Sequence, residues 1–157
     1  MARLLRVLQD LSLLVARVGL GAILLMHGWR RWQQQGLQQQ VDYLSQFGTP
    51  YPTAAAWGGV LLELAGGAFL IVGALTPLVA AAILAEQVLI VCYTNWYKGP
   101  YLLDAQGEYL GGYEHNVALG LLALLFVTFG AGRIAVDQLF RRPPVEADQR
   151  VDDRAYA

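Results

Sequence analysis

The sequence is poor in cysteine, histidine and charged residues. One of its 157 residues is cysteine, two are histidine, and 15% are charged. The lone Cys92 excludes dithiol exchange within this chain, because passing electrons from dithiols to a quinone requires paired cysteines. Haem ligation by two histidines is disfavoured, because His27 and His115 are expected at the same end of the helices instead of opposed across them.

Hydrophobic residues dominate what remains, at 56% of the chain. Four apolar stretches approach the roughly 20 residues that a helix needs to span a bilayer. They are Leu11–Trp29, Ala54–Leu75, Leu78–Trp96 and His115–Ala131. A soluble bundle would need a polar outer stripe, and the second stretch has almost no polar residue except Glu63. The sequence therefore predicts an all-α bundle of four transmembrane helices in contact with the lipid bilayer, and no feature indicates nucleic-acid binding.

The remaining segments complete a single membrane domain over residues 1–140. Residues Gln33–Thr53 predict a short amphipathic helix on the external membrane surface, ended by proline. Residues Tyr97–Tyr113 predict an external loop folded over the bundle mouth. Residues 141–157 are charged and nearly free of apolar side chains, which predicts a disordered tail. Arg17 interrupts the first apolar run, so we interpret that run as a retained helix and not as a cleaved signal.

Positive charges near the ends of the spans predict the orientation. One side carries Arg3, Arg6, Arg133, Arg141 and Arg142, whereas the other carries Arg30, Arg31 and Lys98. The first side has the excess and is expected to be cytoplasmic. We therefore expect a multi-pass protein of a bacterial plasma membrane with both termini in the cytoplasm.

Three charged residues fall inside the apolar stretches, namely Arg17, Glu63 and Glu86. A charge near the bilayer centre costs several kcal/mol unless it is paired, so these residues are expected to meet one another. Either both carboxylates share the arginine or one glutamate is protonated. Such a cluster serves equally well as a structural lock between helices or as a functional site.

A second polar group is predicted at the external mouth of the bundle. Its members are His27, Arg30, Arg31, Tyr113, Glu114 and His115. A metal site is disfavoured, because neighbouring helical residues point about 100° apart and Glu114 and His115 do not easily face one ion. One interpretation is interfacial capping, with Glu114 at a helix N-terminus. The other is a proton-exchanging mouth for a quinone head group, with His27 or His115 as the exchanging side chain.

Several short motifs occur in a characteristic order along the chain. They are Arg17-Val18-Gly19-Leu20-Gly21 with His27-Gly28, Phe47-Gly48-Thr49-Pro50, Leu62-Glu63-Leu64-Ala65-Gly66-Gly67, Val72-Gly73-Ala74-Leu75-Thr76-Pro77, Gly111-Gly112-Tyr113-Glu114, and Gly130-Ala131-Gly132-Arg133 with Asp137. This pattern resembles the DoxX family of small bacterial integral membrane proteins. The resemblance covers about Leu11 to Leu139.

Two positions depart from the pattern of that family. Arg30 and Arg31 stand where a lysine commonly follows the first His-Gly, and Ala131 stands where proline is frequent. Arginine keeps its charge and does not act as a base, so a role that rests on that lysine is not carried over. The resemblance implies membrane redox or oxidative-stress complexes, in which soluble partners such as a sulfurtransferase or superoxide dismutase take part.

Two functional hypotheses follow from the residues and the resemblance together. The first is an accessory membrane subunit of a redox or respiratory oxidoreductase complex, without catalysis of its own and without a covalently bound cofactor. The second is a quinone-reactive subunit that uses the intramembrane charges or the histidine mouth for protons. A homo-oligomer is a further expectation. A small transporter ranks last, because such exporters carry an essential glutamate in the first helix, where this chain has Arg17.

Overall fold

The computed structural model describes residues 2–140, and within that range it is helical with no strand. We number five helices along the chain: α1 Ala2–Trp29, α2 Leu37–Gln46, α3 Pro52–Val72, α4 Thr76–Lys98 and α5 Glu114–Phe129. A 3-10 helix, Val136–Phe140, follows α5. The all-α prediction is confirmed. The predicted disordered tail, 141–157, lies outside the described residues.

Three helices are long and apolar enough to cross a membrane: Leu4–Gln35, Pro52–Val72 and Thr76–Lys98. They match the first three predicted spans, although the first begins earlier than the predicted Leu11. The fourth apolar helix, α5, has 16 residues. At 1.5 Å per residue it is about 24 Å long, shorter than the roughly 30 Å hydrocarbon core. A fourth crossing stays a prediction.

A π-helical turn follows α1, and α3 and α4 each contain one. These turns are Arg30–Gln35 after α1, Leu62–Gly66 within α3 and Val91–Asn95 within α4. A π-helical turn shifts the helical register and exposes backbone groups, and such turns occur frequently at functional sites. All three turns contribute residues to the cavity described below.

A tight turn joins α3 to α4 and defines what we call the hairpin end of the bundle. Gly73 has φ 74°, a conformation that glycine adopts without steric cost. The carboxylate of Asp137 accepts hydrogen bonds from the backbone N–H groups of Leu75 (2.6 Å) and Thr76 (2.9 Å). This carboxylate satisfies amide groups at the start of α4, which the helix itself leaves unpaired.

The half of the bundle near the hairpin end is solidly packed. A Cβ added to Gly21 of α1 would lie 2.6 Å from the carbonyl oxygen of Gly67 in α3, so the two backbones touch. Small residues allow this close approach between membrane helices. The buried apolar core consists of Leu20, Leu24, Leu70, Val79, Ala80, Ile83, Leu119, Ala123 and Phe126.

The opposite end, which we call the loop end, is covered by α2 and by the segment over residues 99–113. Lys98 donates a hydrogen bond to the Tyr43 hydroxyl at 2.9 Å and lies over the rings of Tyr43 and Phe47. These contacts bind α2 to the end of α4. The structure thus contains the helix expected within Gln33–Thr53, while its position on the external surface stays a prediction.

Candidate functional site

A cavity of about 900 Å³ occupies the half of the bundle toward the loop end. All five helices and the 99–113 segment contribute to its walls. The ionisable side chains His27, Arg31, Glu63, Glu86 and His115 line it. A cavity of this size takes a small organic molecule or a head group, and polar groups within apolar walls are typical of such sites.

Arg31 lies between the two buried glutamates. Its Nη1 is 3.3 Å from Glu63 Oε1 and 3.8 Å from Glu86 Oε1. The Glu63 side chain is only 2% exposed, and that of Glu86 is 12% exposed. The second oxygen of each carboxylate is buried and has no hydrogen-bond partner. One arginine therefore faces two acids, and each of these cavity-lining residues has one acceptor atom without a partner.

The two histidines lie beside each other in the same cavity. The ring centroids of His27 and His115 are 5.4 Å apart, with the ring planes tilted by 50°. Nε2 of His115 is buried without a hydrogen-bond partner. This nitrogen joins Thr49 Oγ1 and the two glutamate oxygens as an unpaired buried atom on a residue that lines the cavity.

A chain of amide side chains forms the wall between α4 and α5. Asn95 donates to Asn116 at 2.8 Å, and Asn116 donates to Gln87 at 2.9 Å. Sequence reasoning missed Gln87 and Asn95. The sequence does contain a signal that would have found Gln87: it lies in an apolar helix, on the same face as Thr94 two helical turns later. Polar residues that repeat on one face of a membrane helix indicate that this face points to a polar interior.

Arg17 does not join the glutamates, and this corrects the expected three-residue cluster. It is buried at the hairpin end, where its Nη1 donates to the Ala131 carbonyl at 2.9 Å and its Nη2 to the Ile134 carbonyl at 2.8 Å. The guanidinium lies against Gly73, where any side chain would collide with it. Arg17 therefore ties α1 to the hairpin turn and to the segment after α5, which is a structural arrangement.

The residues predicted at the mouth divide into two groups. His27, Arg31 and His115 line the cavity, whereas Arg30, Tyr113 and Glu114 do not. Arg30 is exposed, and Tyr113 stacks on Trp96 with centroids 5.8 Å apart. Glu114 begins α5 and accepts a hydrogen bond from the Leu102 N–H at 3.0 Å. Its contacts are those of a carboxylate at a helix N-terminus that fixes the neighbouring loop.

Residues 2–140 contain no group of three or more histidine, cysteine, aspartate or glutamate side chains placed to hold a metal ion. The side chains that line the cavity can form hydrogen bonds with a ligand. The carboxylates accept, the arginine donates, and the imidazole does either according to its protonation. A small ring with oxygen substituents would find donors and acceptors at several points of these walls.

Long apolar helices around a cavity with buried acids and histidines define a helical membrane protein with a polar interior site. A sequence model of the DoxX family matches residues 12–96, more than half of the chain, and the protein belongs to the DoxX family. No curated protein and no solved structure matches the chain. The matched region includes Arg31, Glu63 and Glu86 but ends before His115.

Proposed function

We propose that this chain is the membrane subunit of a redox complex and that its cavity binds the head group of a membrane quinone. The observation that carries the proposal is a set of four buried side-chain atoms without a hydrogen-bond partner, all on residues that line the cavity: Thr49 Oγ1, Glu63 Oε2, Glu86 Oε2 and His115 Nε2. Buried polar groups are normally hydrogen-bonded, so unpaired ones that surround a cavity indicate a ligand that pairs with them.

The chemistry of a quinone fits this donor and acceptor set. A quinone carbonyl accepts hydrogen bonds, which Arg31 or a protonated histidine donates, and a quinol hydroxyl donates hydrogen bonds, which the carboxylates accept. When bound, the quinone would supply the two-electron redox chemistry. The residues of this chain would bind and orient it, and Glu63 and Glu86 would hold or release protons at their free oxygens.

Family membership supports the redox context of the proposal. The DoxX resemblance implies association with quinone-linked oxidation and with soluble partners, and this chain has a single cysteine. Electrons would therefore come from a partner subunit. The fold would cross a bacterial plasma membrane four times, with α5 as the fourth crossing, the loop end outside and both termini in the cytoplasm.

A second candidate is an accessory subunit that assembles the complex and binds no quinone. The bridge from Arg31 to Glu63 and Glu86 favours it, because that bridge connects three helices and would serve as a structural lock. The two candidates differ in what happens when a carboxylate is neutralised. A structural bridge between helices tolerates glutamine in place of Glu63 or Glu86 better than a proton-exchanging site does.

The test begins with the tagged full chain purified from gently solubilised native membranes, with all co-purifying proteins identified by mass spectrometry. Quinone-dependent turnover of the recovered complex is then compared between wild type, Glu63→Gln and Glu108→Gln. Glu108 is an exposed loop residue outside the cavity and serves as the matched control. We expect Glu63→Gln to lower turnover at least 10-fold in an intact complex, with Glu108→Gln unchanged.

Normal turnover of the intact Glu63→Gln complex would favour the accessory subunit. Recovery of the chain alone, as a homo-oligomer, would contradict both candidates that need partner proteins. These outcomes are separate, because assembly is read from the protein composition and the site from the turnover.

A further inference from the structure

We call the line along which two neighbouring helices meet a seam. The packing at the seam between α3 and α4 changes from closed to open along the helices. Near the hairpin end it is closed, since a Cβ added to Gly66 would lie 3.2 Å from a methyl group of Val79. The contacts of α3 with α4 come mainly from Leu62–Gly66 and Gly67–Val72, and Pro52–Leu61 makes far fewer. The two helices therefore diverge from about the level of Glu63 toward the loop end.

Apolar residues along this divergent part, most of them small, are exposed and also line the cavity. On α3 they include Ala55 and Gly58, and a Cβ added to Gly58 would meet no atom within 4 Å. On α4 they include Ala82, Ala85 and Leu89, which recur on one helical face. A side chain that is exposed and also lines the cavity marks a place where the cavity reaches the outer surface of the bundle.

The neighbouring seam between α1 and α3 is closed by direct packing. A Cβ added to Gly28 of α1 would lie 2.9 Å from Leu64 of α3, so these helices touch beside the cavity as well as at Gly21. Between α4 and α5, Asn116 donates a hydrogen bond to Gln87, and beside it a smaller apolar pocket of about 230 Å³ lies between the two helices. The α3–α4 seam is thus a lateral opening of the large cavity, because exposed residues of both helices line that cavity there.

The interior end of this opening carries charge. Glu63 on α3 and Glu86 on α4 stand on its two sides, and both have an unpaired oxygen. A Cβ added to Gly59 would lie 3.0 Å from Glu86 Oε1, so the absence of a side chain there keeps the path to the carboxylates clear. An apolar slit that ends at buried acids matches a molecule with an apolar tail and a hydrogen-bonding head.

We infer that the gap between Pro52–Leu61 of α3 and the Ala82, Ala85 and Leu89 face of α4 is the entrance through which a tail-bearing quinone passes from the lipid into the cavity. The inference rests on the proposed function and deepens it by assigning the route. The tail stays in the gap while the head group reaches Glu63 and Glu86. The loop end, where Gln39, Gln40 and Lys98 line the same cavity, is the polar route for water and protons.

The experiment uses the full chain in lipid nanodiscs and two photoreactive azidoquinones, one with a long isoprenoid tail and one without a tail. Ala82→Phe places a ring in the gap. Ala81→Phe is the matched control, because Ala81 is its exposed neighbour on α4 and does not line the cavity. The yield and position of cross-links are measured by mass spectrometry for each protein and each probe, with competition by the unreactive quinone.

We expect wild type and Ala81→Phe to cross-link both probes at cavity residues. Ala82→Phe should lose at least 10-fold in yield with the tailed probe and keep its yield with the tail-less probe, which also shows that the variant is folded. Undiminished labelling of Ala82→Phe by the tailed probe would overturn the entrance while leaving the quinone site intact. Failure of the wild type to cross-link either probe would overturn the proposed function and the entrance with it.

Discussion

Nη1 of Arg31 lies 3.3 Å from Oε1 of Glu63, which joins the π-helical turn after α1 to the π-helical turn within α3. The glutamate side chain is 2% exposed, so its charge is compensated by protein and not by water. Glu86 lies on the other side of the same guanidinium nitrogen, at 3.8 Å. Arg31 is therefore the cation that pairs with both acids of the cavity.

Arg31→Met should destabilise the protein by on the order of 3 kcal/mol, because removing one partner of a buried ion pair leaves an uncompensated charge. Unfolding of the purified protein in mild detergent, followed by circular dichroism, measures the effect as a lower Tm. Arg30→Met is the matched control, since Arg30 is exposed and lies outside the cavity. We expect it to change the Tm little.

The same charge argument predicts that the stability lost in Arg31→Met can be recovered by removing the two acids. Adding Glu63→Gln and Glu86→Gln to Arg31→Met should recover most of the lost stability, because no uncompensated carboxylate then remains in the cavity. A triple variant as unstable as Arg31→Met alone would show that Arg31 acts through packing and not through charge.

Hydropathy and motif order were enough to predict the all-helical fold, the membrane class and five ionisable residues that line the cavity, namely His27, Arg31, Glu63, Glu86 and His115. The pairing of those residues was not predictable in the same way. Arg17 was expected to meet Glu63 because both are charged residues inside apolar stretches, but the structure places the Arg17 guanidinium against Gly73. Gly73 is about 15 Å along α3 from Glu63 at 1.5 Å per residue, too far for an ion pair.

The structural partners of Arg17 come from a part of the chain that helical periodicity does not describe. Ala131 and Ile134 offer backbone carbonyls from the segment after α5. Every residue has a backbone carbonyl, so residue identity does not show which carbonyls accept hydrogen bonds from Arg17. Arg31 was missed as the partner of both acids for a related reason, because a π-helical turn shifts the register expected from α1.

Arg17→Met should cost about 3 kcal/mol, since it removes two hydrogen bonds from a charged donor and leaves the carbonyls of Ala131 and Ile134 without them. Arg133→Met is the control. The Arg133 side chain is 67% exposed and lies 3.8 Å from Asp10, an exposed pair worth at most about 1 kcal/mol. Equal losses of Tm in the two variants would contradict a structural role specific to Arg17.

Asp137→Ala should loosen the first turn of α4, because the carboxylate accepts hydrogen bonds from the amides of Leu75 and Thr76. Loss of a helix cap costs about 1–2 kcal/mol. Hydrogen exchange at these two amides should accelerate, and Asp137→Asn should give a smaller effect because it keeps one acceptor oxygen. Asp42→Ala, an exposed aspartate on α2, should leave exchange at the hairpin unchanged.

The proposed orientation predicts a labelling pattern in intact cells. In a Cys92→Ala background, cysteine at Ser45 or Gln106 should react with a membrane-impermeant maleimide, because both positions are exposed at the loop end. Cysteine at Arg133, exposed near the hairpin end, should react only after the membrane is permeabilised. The opposite pattern would invert the topology and place the acidic cavity toward the cytoplasm.

Two glycines of α1 that are two residues apart should respond oppositely to alanine. A Cβ at Gly21 would lie 2.6 Å from the Gly67 carbonyl oxygen, whereas a Cβ at Gly19 would meet nothing within 4 Å. Gly21→Ala should therefore lower stability by about 1–3 kcal/mol through overpacking. Gly19→Ala should raise it by up to about 1 kcal/mol, because alanine favours the helix. Since both changes add the same methyl group to the same helix, a Gly21→Ala protein as stable as Gly19→Ala in detergent unfolding would show that α1 and α3 are not in direct backbone contact.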